Sequence, residues 1–349
     1  MNVEFLTKER EAEYDNFMLK SGSTLFYASN KYRKLLKSFL EAEDFYFLAI
    51  DGGQIVGALP AFLKRNRRVG HILNSLPFFG SNGGIIEHEG RPDAKKALLN
   101  AFNGFASTHN CISTTIITSP FEADVGFYDK EIGFSHRDER IGQVTSLPPK
   151  ADTFPEALMN KFDGVRRRNI RKALKSGVGI TDKDTPQALQ FLADTHAENI
   201  RAMGGIPKPK YFFELITKLF EYGKEYKIFT ALKDNVPIAA VLLFYFNKTV
   251  EYFTPVVVER FRTFQPLSLI IYEAMQDAVR NGYKWWNWGG TWKSQIGVYR
   301  FKKKWGTEDR LYFYYTKIYN EEILHYSREQ LLKEFSYFYV VPFNNLISK

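Results

Sequence analysis

The sequence predicts an α/β (α+β) chain of two tandem units with mixed, mainly antiparallel sheets flanked by helices, and three observations carry that reading. The chain has 349 residues, more than a single hydrophobic core usually serves. Two segments share one pattern, residues 45–66 ("FYFLAIDGGQIVGALPAFLKRN") and 226–247 ("YKIFTALKDNVPIAAVLLFYFN"): a β-branched and aromatic strand, a polar turn, then a longer apolar strand. In both halves a helix-like stretch precedes the hairpin, and a helix-like stretch and another strand come later. This is the mark of a degenerate internal duplication.

Taken along the chain, the first hairpin turns at Asp51-Gly52-Gly53 and the second at Lys233-Asp234-Asn235, residue types that accept the backbone of tight turns. The boundary between units is expected near residue 150, in "LPPKADTFPEAL" (147–158), where adjacent prolines and a polar run interrupt the periodic segments. The expected domains are therefore 1–150 and 151–349, with a catalytic cleft where they meet. In "QPLSLIIYEAMQDAVRNG", Leu267, Ile270, Ile271, Ala274, Met275 and Ala278 fall at offsets 0, 3, 4, 7, 8 and 11, one apolar helix face. Pro266 suits the first position of this helix and Gly282 its stop. Strands are expected at 284–288 and 311–319.

Composition narrows the classes. Cys111 is the only cysteine, which excludes a disulfide framework or thiolate metal site within the chain and fits a reducing, cytoplasmic setting. The start "MNVEFLTKER" turns polar at once, and runs such as "PIAAVLLFYF" (237–246) are too short for a spanning helix. A net charge of +9 favours anionic partners: nucleic acid, phosphorylated metabolites or the anionic membrane surface. Walker A, GxSxG, HExxH and GxGxxG sequences are absent and the six His are scattered, so neither a metal nor nucleotide hydrolysis is expected.

Four stretches concentrate chemistry. "VRRRNIRKALKSGVG" carries Arg166, Arg167, Arg168, Arg171, Lys172 and Lys175, with Val165, Ile170, Ala173 and Leu174 available to bury one side of a short helix. It reads either as a solvated basic face or as a phosphate-docking face, since Arg forks match phosphate oxygens bidentately. "HAENIRAMGGIPKPKYF" ends a helix at Gly204-Gly205 with Arg201 in its last turn, where a cation often only complements the helix dipole. "LPFFGSNGGIIEHEG" gathers Gly80, Asn82, Gly83 and Gly84, which permit either a tight turn or close backbone approach to a ligand. "WWNWGGTWKSQIGVYRFKKKWG" (285–306) holds all five tryptophans, a Gly289-Gly290 turn and the run Arg300, Lys302, Lys303, Lys304. Its bland reading is tryptophan core plus a solvated lysine face. Against that, Tyr299, Phe301 and Trp305 fall at helical offsets and leave Lys302 at the apolar border, where a cation beside apolar bulk is placed to meet an anion.

Together the duplication, "RRRNIRKALKSGV", "NIRAMGG…YF" and above all "NWGGT…GVYRFKKKWG" resemble the Fem-type (FemAB-like) aminoacyl transferases, built from two tandem acetyltransferase-like (GNAT) domains. The resemblance covers most of the second half and only the pattern of the first. It implies an acyltransferase that joins an activated acyl or aminoacyl group to the amine of a cell-envelope glycan precursor, an amino sugar or a peptidoglycan precursor. No tightly bound cofactor is implied; the co-substrate is aminoacyl-tRNA, acyl-CoA or an acyl-carrier protein. Implied partners are an anionic nucleotide- or lipid-linked sugar, tRNA or coenzyme A, and the inner membrane surface as a peripheral contact.

The family's "FK" lysine maps onto Lys302, its helix-end arginine onto Arg201 and a pocket tyrosine onto Tyr252. Lys302 is the candidate for oxyanion stabilisation, with Asn287 and the Gly289 and Gly290 amides as secondary candidates. Asn82, Gly83, Tyr299, Gly289 and Gly290 join Arg201 and Tyr252 on the substrate side. The chain departs from the family in two ways. No long charged heptad hairpin is inserted, and the loop expected to hold a pyrophosphate, "ERFRTFQPLS", has no glycine. Arg260, Arg262 and Gln265 there, with Arg167 and Arg171 of the basic helix, are the donor-binding candidates. Direct attack without a covalent enzyme intermediate follows, because Cys111 has no nucleophile context and no serine elbow is present. The competing readings are a non-catalytic basic nucleic-acid-binding protein and an inactive scaffold of the same fold.

Overall fold

A computed structural model describes residues 1–20, 22–78, 82–87, 90–122 and 124–347. The chain forms two compact units, residues 1–141 with 311–349, and residues 142–310. The expected cut near residue 150 lies close to the first crossing, which falls within a strand. The second crossing, at 310/311, returns the C-terminal segment to the first unit, whereas the sequence had grouped 311–349 with the second half. That return depends on pairing between residues far apart in sequence, which local patterning does not encode.

Among the described residues the first unit contains strands β1 (Asn2–Phe5), β2 (Glu43–Asp44), β3 (Phe47–Asp51), β4 (Gln54–Leu59), β5 (Phe62–Lys64), β6 (His71–Asn74), β7 (Ile86–Glu87) and β8 (Cys111–Ile117). Helices α1 (Glu11–Lys20), α2 (Asn30–Phe39), α3 (Pro92–Thr108) and α4 (Val125–Glu131) accompany them. β9 (His136–Ser146) and β15 (Glu308–Ile318) run through the two crossings, and α11 (Arg328–Glu334) follows. One sheet has the order β1-β3-β4-β7, and β15, β8, β6, β5 and β2 neighbour one another in that order in another. The first hairpin forms as expected, with Asp51 opposite Gln54 and Gly52 and Gly53 at φ 55° and 80°. Its second strand is shorter than expected. β4 stops at Leu59, and beyond Pro60, which has no N–H for a ladder, β5 pairs with β2 and β6 in the other sheet. α3 buries Ala94, Leu98, Leu99, Phe102 and Ala106 in this unit's core.

The second unit holds α5 (Phe154–Lys161), α6 (Gly164–Lys175), β10 (Val178–Thr181), α7 (Pro186–Ala202), α8 (Lys210–Leu219), β11 (Tyr226–Lys233), β12 (Val236–Phe246), β13 (Thr249–Val257), α9 (Pro266–Arg280), β14 (Trp285–Thr291) and α10 (Ile296–Lys303). The strand order is β10-β11-β12-β13-β14, antiparallel except for the last pair. The hairpin β11–β12 closes through Asp234 and Asn235, both at positive φ (51° and 62°), as a two-residue turn matching the strand twist requires. α9 begins with Pro266 and stops before Gly282 at φ 78°, and its apolar face packs into the core with Ile170 and Ala173 of α6. Trp286, Trp288 and Trp305 are core residues, while Trp292 is exposed. No helix among the described residues is long and apolar enough to cross a membrane.

Candidate active site

The local geometry starts from where β13 and β14 part. Their parallel register runs only from Thr249↔Trp285 to Glu251↔Asn287. At that last rung the Asn287 Nδ2 donates to Glu251 Oε2 at 2.8 Å, both residues fully buried, while Asn287 Oδ1 accepts from the Gly289 amide at 3.0 Å. Asn287 thus ties the two strands together and shapes the next turn of backbone, with both ends of its amide engaged. Past the tie, β13 carries a bulge: Leu242 opposes Thr254 and Leu243 opposes Tyr252, which leaves Phe253 as the extra residue. The ladder between these strands does not extend to residues 252–257 and 288–291.

The expected Gly289-Gly290 turn is a distortion within β14 rather than its end. Gly289 sits at φ 70°, with open space where a Cβ would lie, so conformation rather than crowding demands glycine. The distortion aims two carbonyls at Lys302. Its ammonium donates to Gly290 O at 3.0 Å, Gly289 O at 3.3 Å and Thr291 Oγ1 at 2.9 Å. The Thr291 hydroxyl in turn donates to Gln143 Oε1 at 3.3 Å. Lys302 is buried among neutral groups, and burial lowers its pKa to about 8. Lys303 is exposed and pairs with Asp309 at 3.2 Å; Lys304 is half-buried. The lysine run therefore contains one buried cation and two of different surroundings.

A second cation, Arg166, packs on Phe301. The Asp163 amide donates to Lys304 O at 2.9 Å, which joins the start of α6 to the end of α10, and the Asp163 side chain caps α6 by accepting from Val165 N. This brings the Arg166 guanidinium over the Phe301 ring at 4.4 Å and within 5.6 Å of the Trp305 ring centroid. Burial lowers the Arg166 pKa, with Asp163 and Tyr252 opposing it. Tyr252 packs on Trp288 with centroids 4.9 Å apart, and burial raises its hydroxyl pKa. Arg166 was not among the residues singled out for donor binding, yet a signal was available: Arg166, Ile170 and Ala173 are spaced i, i+4, i+7 and form the buried stripe of α6. Leu174, expected on that stripe, is exposed.

The remaining candidates are more dispersed. Arg201 is exposed at the end of α7, and the helix stops at Gly204 (φ 72°) as expected. Lys208 lies over the Phe253 ring at 5.0 Å and is held down to about 8 by burial; its amide donates to His196 Nε2, and burial, then the Lys208 charge, lowers His196 to about 4. Tyr299 donates from its hydroxyl to Asp309 at 2.6 Å. Arg167 is half-buried and Arg171 exposed on α6. After β13, Arg262 pairs with Glu259 at 2.7 Å, Arg260 lies over the Phe261 ring, and Gln265, at φ 59°, donates to Arg262 O. In the first unit Asn82 donates to Thr118 O at 2.9 Å and lines a cavity of about 480 Å³. Gly83 is there for close packing, since a Cβ would come within 2.8 Å of the Leu76 backbone. Gly80 lies outside the described residues. The Cys111 thiol is buried on β8 and pushed up to about 12, far from a reactive thiolate.

The fold is that of FemAB-like tandem GNAT proteins. Residues 212–309, which carry β13, β14, Asn287 and Lys302, match the model of the FemAB family. Among solved structures, "Crystal structure of FemX" is similar with a TM-score of 0.73 at 16% identity, covering 93% of this chain and 98% of that one. A tandem GNAT protein from the clavulanic acid biosynthesis pathway aligns at TM-score 0.55 and 13% identity, over 91% of this chain and 98% of that one. L-PGS from Bacillus licheniformis aligns at 0.56 and 11%, over 95% and 96%. No curated protein matches the chain.

Proposed function

We propose that the protein is an N-acyltransferase that forms an amide between an activated acyl or aminoacyl donor and the amino group of a cell-envelope glycan precursor. The observation that carries the reading is the buried, carboxylate-free Lys302 held by Gly289, Gly290 and Thr291 of β14, inside the FemAB-matching segment. In the reaction the amine nitrogen attacks the donor's carbonyl carbon. The new C–N bond forms, the carbonyl oxygen becomes an oxyanion, and the donor's ester or thioester bond then breaks with its electron pair leaving on oxygen or sulfur. The amine's proton passes to water. Lys302 meets the oxyanion by exchanging its longest contact, 3.3 Å to Gly289 O, for the new anion. Asn287 acts through Gly289 as a positioning residue. Arg201 is the proposed acceptor contact, with Arg260, Arg262, Gln265, Arg167 and Arg171 on the donor side.

The donor is decided by a reconstituted reaction with an amine-bearing nucleotide sugar, read by mass spectrometry, with and without ribonuclease. An aminoacyl-tRNA donor gives product that ribonuclease abolishes; an acyl thioester gives product that persists. Absence of amide product with either donor, from folded protein, contradicts the reading.

A further inference from the structure

Arg166 is a buried guanidinium whose charge feels Asp163 and Tyr252 but is bonded to neither. It is 9% exposed, and among the described residues its side chain has no hydrogen-bond or ion-pair partner. Of its three nitrogens only Nε is both shut off from solvent and without an acceptor. What holds the group is the face of Phe301 and the neighbouring ring of Trp305. Lys302, beside Phe301 in sequence, is the opposite case, because its three ammonium hydrogens are taken by Gly289 O, Gly290 O and Thr291 Oγ1. Among the other arginines of the unit named above, Arg168, Arg171, Arg201, Arg260 and Arg262 are exposed and Arg167 is half-buried, so Arg166 is the buried one. A buried charge without a bonded partner is costly, and an anion bonded to it would offset that cost.

We propose that Arg166 is the receptor for one oxyanionic group of a ligand, carboxylate or phosphoryl, taken by the planar fork of its terminal nitrogens while the ligand's body packs on Phe301 and Tyr252. This deepens the transfer reading by giving one reactant a required negative group, and rests on that reading only for which reactant carries it. Binding is read without turnover, so loss of the anion response leaves amide formation standing, and loss of amide formation leaves the anion response standing.

The test uses the full chain and two probes, inorganic phosphate and acetate, titrated at constant ionic strength. The readouts are tryptophan emission, because Trp305 lies against Arg166, and thermal unfolding. The wild type gives a saturable emission change and a rise in Tm with at least one probe, and the responding probe names the class of oxyanion. Arg166→Met loses the response yet unfolds at or above the wild-type temperature, since an uncompensated charge has been replaced by an apolar chain. Arg166→Lys keeps the charge but not the fork and binds several-fold more weakly. The proposal is overturned if the wild type answers neither probe, if Arg166→Met or Arg166→Lys binds like the wild type, or if Arg166→Met unfolds well below it, which would make the guanidinium a structural brace.

Discussion

The two units bury cations on opposite terms. In the first, Lys95 of α3 lies between Glu122, at 3.1 Å, and Glu87, at 3.5 Å, with the Phe127 ring 5.6 Å away, beside the cavity that Asn82 also lines. Burial raises the Glu87 pKa, and the Lys95 charge acts against that rise. In the second unit, Lys302 has only neutral acceptors, and Arg166 rests on aromatic faces with Asp163 acting on its charge but not bonded to it. A charge balanced inside its own unit is explained by folding. A charge without a bonded partner in its own unit is the kind that a ligand can complete, and this supports the proposal that the chemistry belongs to the second unit.

The comparison breaks most easily at Lys95. Lys95→Met leaves Glu122, only 8% exposed at its side chain, without its cation, and should destabilise the protein by about 3–5 kcal/mol in denaturant unfolding. Destabilisation below about 1 kcal/mol would show that the pair is solvated and the contrast false. Lys302→Met should cost less, about 1–3 kcal/mol, because it strands the Gly289 and Gly290 carbonyls but no charge. Unfolding of this variant by guanidinium checks the value. A cost as large as that of Lys95→Met would point to an ionic partner and erase the distinction.

A smaller effect sharpens the contrast by pH. The Lys302 pKa is lowered from 10.5 to about 8 in the fold. Between these values the unfolded chain binds more protons, so the contribution of Lys302 to stability grows as pH rises from about 8 to 10.5. Lys208, also lowered to about 8, acts in the same direction. The difference in slope between wild type and Lys302→Met therefore isolates Lys302. For activity the sign reverses: if the charged form meets the oxyanion, kcat/KM should fall as pH rises through about 8, and Lys302→Arg should flatten the fall. An activity rising through that pH would assign Lys302 as a base instead.

Much of the scaffold was legible because it is local. Asp234-Asn235 and Gly52-Gly53 announce tight turns by conformational preference, and the apolar face of α9 with Pro266 and Gly282 marks its own ends. The break at Pro60 was not read, since one longer strand was expected to run through it, and the partners that β5 finds lie in β2 and β6. The site was half legible. Lys302 stands at a helical border position in the sequence, but the three acceptors that bury it come from a distorted strand eleven to thirteen residues earlier. Arg166 was hidden by its neighbours: among several cations, only its spacing with Ile170 and Ala173 reveals that it faces inward.

The most direct test of the account compares amide-forming turnover in the wild type, Lys302→Met and Lys303→Met, with each protein first shown to be folded at the assay temperature. If Lys302 stabilises the oxyanion, Lys302→Met lowers kcat by about 100-fold or more, as loss of one oxyanion donor typically does. Lys303→Met, which removes only an exposed cation paired with Asp309, should stay near the wild-type rate. Equal and small losses in the two variants would contradict the account and leave the lysine run as a basic surface with one structurally buried member.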